Sequence, residues 1–212
     1  MKRSITRQER RFTLAGVAIC VALAALSPRA IAMGAGGSET VRSLYDTLLA
    51  TMRNGPALGA HGRFAQIAPV VRRVFDIPFM TRLAVGPEWA GLSEPQRQQV
   101  SQAFERYITA IYAERFDSYS GERLQVTGEQ ASAGGTMITS QITKSNGEPV
   151  HINYLMRQNG GIWQIADVYL DGTISELATR RSEFASILRA QGIAGLIATL
   201  NAKASTLSAR AS

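Results

Sequence analysis

The sequence contains a single cysteine, Cys20, in 212 residues. A disulfide-built scaffold and a zinc site of clustered thiolates are both excluded. Histidine is nearly as scarce, with only His61 and His151. The two do not share a helical face at metal-ligand spacing, so no metal site is expected. Neither GxxxxGK[ST] nor GxGxxG occurs, which removes the usual phosphate-cradling loops. A GxSxG nucleophile elbow is also absent, so serine-hydrolase chemistry has no support. Carboxylates such as Glu122, Glu129, Asp167 and Asp171 sit at strand ends and turns, where capping or pairing with arginine is the expected role. The apolar run Phe12 to Leu26 has 15 residues, short of the roughly 20 that a membrane-spanning helix needs.

Acidic residues are the minority: 16 Asp and Glu stand against 23 Lys and Arg, a formal charge of +7. Such a balance points to nucleic acid or an anionic surface, but its distribution removes that reading. Lys2, Arg3, Arg7, Arg10 and Arg11 precede the apolar run, and Ala30-Ile31-Ala32 follows it. This is the order of a secretory signal peptide: basic segment, apolar segment, small-residue cleavage site. Residues 1–32 are expected to be removed after Ala32 on export. Arg10-Arg11 lacks the preceding Ser or Thr of a twin-arginine signal, and Ile19 is too large for the position before a lipidated Cys20. The first 32 residues hold six Lys/Arg and one acid, which leaves 17 basic and 15 acidic residues in the remainder. That remainder has no cysteine and must be held by its core, which is feasible because a chain of this size buries about 70% of its unfolded surface.

Charges alternate in sign along the longest helical stretch: Glu94, Arg97, Glu105, Arg106, Glu114, Arg115. This is a solvated, salt-bridged face and not a phosphate track. Arg63, Arg72 and Arg73 form the only small basic group, expected to be an exposed helix side, with docking to an acidic partner or lipid headgroups as the alternative.

Periodicity divides residues 33–202 into helices, strands and helices again. Glu39 to Met52, Phe64 to Val74 and a short stretch from Pro78 to Val85 have helical spacing. Ser93, with Gln96 three residues on and Pro95 in the first turn, starts a long helix through Phe116. Residues 124–130, 136–144, 150–158 and 163–170 alternate and are separated by Gly134-Gly135, Asn146-Gly147 and Asn159-Gly160-Gly161. These are hairpin signals, so four strands form an antiparallel meander. Val150, Ile152, Tyr154 and Met156 share one apolar strand face, which needs a cover of helices. Ser175 caps a helix to Arg189, Gln191-Gly192 stops it, and a last helix covers Ile193 to Leu200. Residues 203–212 read as a polar, frayed tail. The expected architecture is α+β: a twisted antiparallel sheet of about four strands, packed with N- and C-terminal helices.

The segment Val74 to Trp89, VFDIPFMTRLAVGPEW, is richer in apolar side chains than a short broken helix requires. It is either packed core or the rim of an apolar cavity between helices and sheet. Periodicity does not separate the two.

The order of several short motifs does more. Phe75-Asp76, Met80 to Gly86, Trp89, Leu92-Ser93 and Gln96-Arg97 are followed by Phe104, Tyr112-Ala113 and Tyr119 to Glu122. Pro149-Val150, Tyr154, Trp163 to Val168, Asp171 to Ser175, Arg181, Phe184 and Gly192 to Ile197 complete the series. Over residues 39–200 the chain resembles the MlaC-type proteins, the toluene-tolerance or ABC-transporter auxiliary family. The wording Phe75-Asp76-Ile77-Pro78-Phe79-Met80 and Asp171 to Leu177 is similar to the hopanoid-associated HpnM branch. The resemblance implies a periplasmic lipid carrier, not an enzyme, with no cofactor and no metal. It implies a cavity for a hopanoid or phospholipid, shuttled between the inner and outer membranes. The implied partners are an inner-membrane ABC transporter with an MCE-domain protein and an outer-membrane complex, with no nucleic acid. A monomer is expected.

The candidate lipid-binding residues are Phe75, Phe79, Met80, Leu83, Val85, Ile108, Ile111, Tyr112, Ile152, Tyr154, Val168, Leu170 and Ile174. Leu83, Val85, Tyr112, Tyr154, Val168 and Ile174 match family motifs; the others rest on their apolar faces. Asp167, Asp171 and Arg181 are expected to pair or cap around the last strand. A cone-shaped, nuclear-transport-factor-like enzyme and a periplasmic adaptor with a filled core are the alternatives. Such an enzyme places His or Asp inside its cone, whereas the inner strand face here is apolar.

Overall fold

A computed structural model describes residues 36–210. The expected signal peptide and its cleavage site at Ala32 lie outside the described residues. The first helix, α1 (Gly37–Arg53), ends at Asn54, and α2 (Gly55–Val74) starts at once with Pro56 in its first turn. The sequence reading starts this second helix only at Phe64. It begins earlier because Gly59, at φ 58° and ψ −180°, allows a kink that joins two helical pieces. Then come α3 (Ile77–Val85), a 3-10 turn (Gly86–Gly91) and α4 (Glu94–Arg115). Ser93 and Gln96 form the expected capping box on α4.

The sheet follows: β1 (Arg123–Ser132), β2 (Gly135–Thr143), β3 (Pro149–Asn159), β4 (Ile162–Leu170) and β5 (Ile174–Ser175). Its order is β1-β2-β3-β4-β5, antiparallel throughout. The fold is α+β, with five strands where four are expected. Two residues are too few to alternate, so β5 leaves no trace in the pattern. The last helix, α5 (Glu176–Arg210), is broken at Gly192, whose φ of 65° and ψ of −169° suit glycine alone. It runs on beyond Leu200, where the sequence reading expects a frayed tail from residue 203. Ala204 is buried, Leu207 packs on the core and Lys203 pairs with Glu183, so helical spacing continues.

Register aligns the apolar face of the sheet into rows. Leu124 pairs with Ile142 and Ile142 with Val150. In the next row Ser140 pairs with Ile152 and Ile152 with Leu170; beyond it Ile138 pairs with Tyr154 and Tyr154 with Val168. Helix α1 lies across β1 to β4, while α4 and α5 pack on each other. Phe104 of α4 and Phe184 of α5 meet edge to face at 5.5 Å between centroids. Burying side chains of this size contributes about 1.5–3 kcal/mol each.

The corner between α2 and α3 is tied to the sheet. Phe75 bridges Ile165 in parallel, and the Asp76 amide donates to the Ile165 carbonyl at 2.9 Å. Asp167, two residues further along β4, performs a similar task. It accepts from Val168 N at 2.7 Å, Ser175 Oγ at 2.6 Å and Leu177 N at 3.1 Å. Asp167 thus fastens the start of α5 to the sheet.

Candidate functional site

Between α4, the start of α5 and the inner face of the sheet lies a cavity of about 500 Å3. Its floor follows from the register. Leu124, Ile142 and Val150 form one row, Ile152 and Leu170 the next, and Tyr154 and Val168 the third. Its wall follows from helical periodicity: Phe104, Ile108, Ile111, Tyr112 and Arg115 occupy one side of α4. Phe75, Met80, Met52 and Phe116 add to the lining, and Leu177 comes from the first turn of α5.

Nine of the thirteen candidate residues line this cavity: Phe75, Met80, Ile108, Ile111, Tyr112, Ile152, Tyr154, Val168 and Leu170. Four do not. Val85 is buried in the core, and Leu83 points outward with 37% of its surface exposed. Ile174, on the short β5, is 55% exposed. Phe79 is half-buried beneath Arg157, whose guanidinium carbon lies 4.1 Å from the ring centroid. Met52, Phe104, Phe116, Leu124, Ile142, Val150 and Leu177 are lining residues that the sequence reading left out. Phe104 and Phe116 belong to the α4 stripe and Val150 to the β3 face, so their periodicity carried the signal.

Charged and polar groups also border the cavity: Arg115, Asp117, Glu122, Lys144, Asp171, Glu176 and Arg180, with Ser118. Several are already committed. Arg180 reaches Glu176 and Glu183, each at 3.1 Å, and Lys144 reaches Glu148 at 3.1 Å. Glu122 accepts from the Ser120 amide at 2.7 Å. Asp171 sits at φ 48° in the turn before β5.

Three phenols stand out in the apolar interior: Tyr45 and Tyr154 are buried and Tyr112 is half-buried. Tyr45 and Ser140 are 2.6 Å apart, and the Ser140 hydroxyl donates to the Ile152 carbonyl. The Tyr154 ring meets that of Tyr45 edge to face, 6.0 Å between centroids. Burial, first of all, pushes all three phenols above their ordinary value; the Tyr45 phenol adds to this at Tyr112, and the Tyr45 and Tyr112 phenols add to it at Tyr154.

The histidines lie elsewhere. His61 and His151 are both exposed and neither borders the cavity. Among the described residues no group of His, Cys, Asp and Glu is arranged to hold a metal ion. The basic trio is not an exposed patch as expected. Arg63 is buried, donating to the Ala113 carbonyl at 3.0 Å and the Gly55 carbonyl at 2.9 Å. Arg72 pairs with Glu105 at 3.0 Å, and Arg73 donates to Ser43 Oγ at 2.9 Å. Arg181 is exposed, near Gly86.

With this geometry in place, residues 42–202 match the family model described as MlaC protein. The chain belongs to the MlaC family. The match spans all five strands and every helix, from within α1 to within α5. A solved structure has the same fold: a phospholipid-binding protein from Ralstonia solanacearum, in complex with a phospholipid. It is 24% identical, with a TM-score of 0.69, and the match covers 82% of this chain and 99% of that one. The HpnM branch, by contrast, is not distinguished by either match.

Proposed function

We propose that this MlaC-family chain binds the apolar part of a lipid in the cavity between α4, α5 and the sheet. The observation that carries this reading is the lining. Side chains from helices and sheet converge there, and 16 of the 24 are apolar or aromatic. Each methylene moved from water into such a space gains about 0.8 kcal/mol. A methylene fills roughly the space of one liquid water, about 30 Å3. A cavity of about 500 Å3 therefore suits one long acyl chain or one fused-ring lipid. A two-chain phospholipid requires the helical walls to move apart, at the cost of shifting the population toward an open form.

In the fuller proposal, residues 1–32 direct export and are removed after Ala32, leaving a periplasmic domain. It carries a hopanoid or a phospholipid between the inner and outer membranes. It receives or delivers that lipid at an ABC transporter with an MCE-domain protein and at an outer-membrane complex. The domain acts as a binder and not as an enzyme. Family membership and the phospholipid-binding fold relative support the lipid ligand; the basic-apolar-small N-terminus supports the export.

The test is purification without added ligand, followed by mass spectrometry of an organic extract. Co-purified lipid near one molecule per chain is the expected result. An extract free of lipid, from protein that also fails to take up phospholipid from vesicles, overturns the proposal.

A further inference from the structure

The cavity lining changes character along one direction, and helix and sheet agree on it. On α4 it runs from Phe104 and Ile108, both buried, through half-buried Ile111 and Tyr112 to exposed Arg115. On β4 it runs from buried Val168 through half-buried Leu170 to exposed Asp171. On β2 it passes from half-buried Ile142 to exposed Lys144, just past the strand end. Glu122 precedes β1. In an antiparallel meander the start of β1 and the ends of β2 and β4 lie at one end of the sheet. The cavity therefore opens at that end, between charged side chains, and is buried and apolar at the other.

Not all of those charges are available to a ligand. Arg180 is held by Glu176 and Glu183, each at 3.1 Å, and Lys144 by Glu148 at 3.1 Å. Among the described residues Arg115 forms no ion pair, and neither do Asp117, Glu122 and Asp171. Asp117 accepts from the Ser118 hydroxyl at 2.9 Å and Glu122 from the Ser120 amide at 2.7 Å, contacts that leave their charges uncancelled. What remains in the lining of the mouth is one guanidinium among three carboxylates. A purely anionic headgroup meets an excess of its own sign there, and a purely cationic one leaves Arg115 unmatched. A headgroup carrying both charges complements the set.

We infer that the mouth of the cavity selects zwitterionic lipids, with Arg115 taking the phosphate and Asp117, Glu122 and Asp171 facing the ammonium group. The inference rests on the lipid-binding reading above and names the headgroup class of the same site. The planar fork of an arginine suits phosphate oxygens, and a carboxylate accepts from or attracts an ammonium. Three of the four side chains are exposed, so the selection is modest in size and sensitive to salt. The apolar interior supplies the affinity, and the mouth supplies the choice. The shared chemistry has two sources: a primary ammonium, which also donates hydrogen bonds, and a quaternary one, which does not.

Displacement of a neutral fluorescent probe, N-phenyl-1-naphthylamine, from delipidated protein tests this. The competitors are the palmitoyl lysophospholipids with ethanolamine, choline and glycerol headgroups, each below its micelle-forming concentration. They share one acyl chain and one phosphate and differ in the ammonium. At low salt the wild-type chain is expected to bind the better zwitterion about three- to fivefold more tightly than the glycerol form. That ratio should shrink toward unity at high salt. Which zwitterion leads identifies the ammonium. In the double variant Asp117→Asn, Asp171→Asn the ratio is expected to fall below about twofold; asparagine tolerates the positive φ of position 171. Arg115→Gln should instead weaken all three about twofold or more, because all carry the phosphate. Equal or tighter binding of the glycerol form by the wild type overturns the inference while leaving the carrier reading intact. A ratio unmoved by salt, or unchanged in the double variant, also overturns it. If none of the three displaces the probe, the carrier reading fails and takes the inference with it. The wild-type ranking and its salt dependence stand without the variants, so a poorly folding variant does not remove the test.

Discussion

Arg157 Nη1 of β3 lies 2.6 Å from Asp76 Oδ2, at the start of α3, while Asp76 Oδ1 accepts from the Phe79 amide at 3.2 Å. One carboxylate thus caps a helix and anchors it to the sheet. Met80, one turn into that helix, lines the cavity. Asp76 is 3% exposed and Arg157 about a third, so the pair is only partly screened. Asp76→Ala is expected to cost about 2 kcal/mol, from the lost cap and the lost charge-assisted bond. Urea denaturation checks this; a loss below about 0.5 kcal/mol contradicts the tie.

Alkaline pH should weaken the fold through the phenols of Tyr45, Tyr112 and Tyr154. Their values are raised in the folded chain, while in the unfolded chain tyrosine ionises near pH 10. Above that pH the unfolded state holds fewer protons, so stability falls as pH rises; below it the contribution is fully present. The urea midpoint is expected to be flat in this respect up to about pH 9.5 and to drop from pH 10 upward. The slope approaches about 1.4 kcal/mol per pH unit for each phenol. Absorbance of tyrosinate should rise together with unfolding, and Tyr154→Phe should reduce the slope.

Gly192 sets the break in α5 at φ 65° and ψ −169°. A Cβ there meets nothing within 4 Å, so the cost of a substitution is backbone strain alone. Gly192→Ala should therefore destabilise the fold by about 1–3 kcal/mol without a packing change. A thermal midpoint equal to that of the wild type contradicts the assignment.

Removing residues 203–212 should lower the thermal midpoint by several degrees. Ala204 and Leu207 would be lost from the core, and Glu183 would lose Lys203. Burial alone would raise the Glu183 carboxyl, yet Lys203 and Arg180 hold it below its usual value. An unchanged midpoint would restore the frayed-tail reading.

Much of the fold was legible because two periods are hard to confuse. The α4 stripe and the β3 alternation put Ile108, Ile111, Tyr112, Ile152 and Tyr154 on inward faces, and all five border the cavity. Errors came where local signals were silent or misleading. Gly55, Pro56, Gly59 and Gly62 read as loop, although Gly59 is a kink inside a helix. The polar composition of residues 203–210 hid a helical spacing of Leu200, Ala204 and Leu207. Leu83 and Ile174 were chosen from motif matches, which report that a residue type recurs and not which way it faces. Whether the core was hollow was not legible at all, since a filled and an empty interior share one apolar pattern. The contacts of Tyr45 with Ser140 and Tyr154 were equally invisible, because they join α1, β2 and β3 only after folding.

The most direct test of the account compares lipid content in two charge insertions. Ile152→Glu places a carboxylate in the cavity floor, and Leu83→Glu places one on the outer surface of α3. Lipid per chain is measured by mass spectrometry of organic extracts, on fractions with native circular dichroism. The account predicts near-complete loss in Ile152→Glu and wild-type content in Leu83→Glu. Wild-type lipid content in folded Ile152→Glu would contradict it.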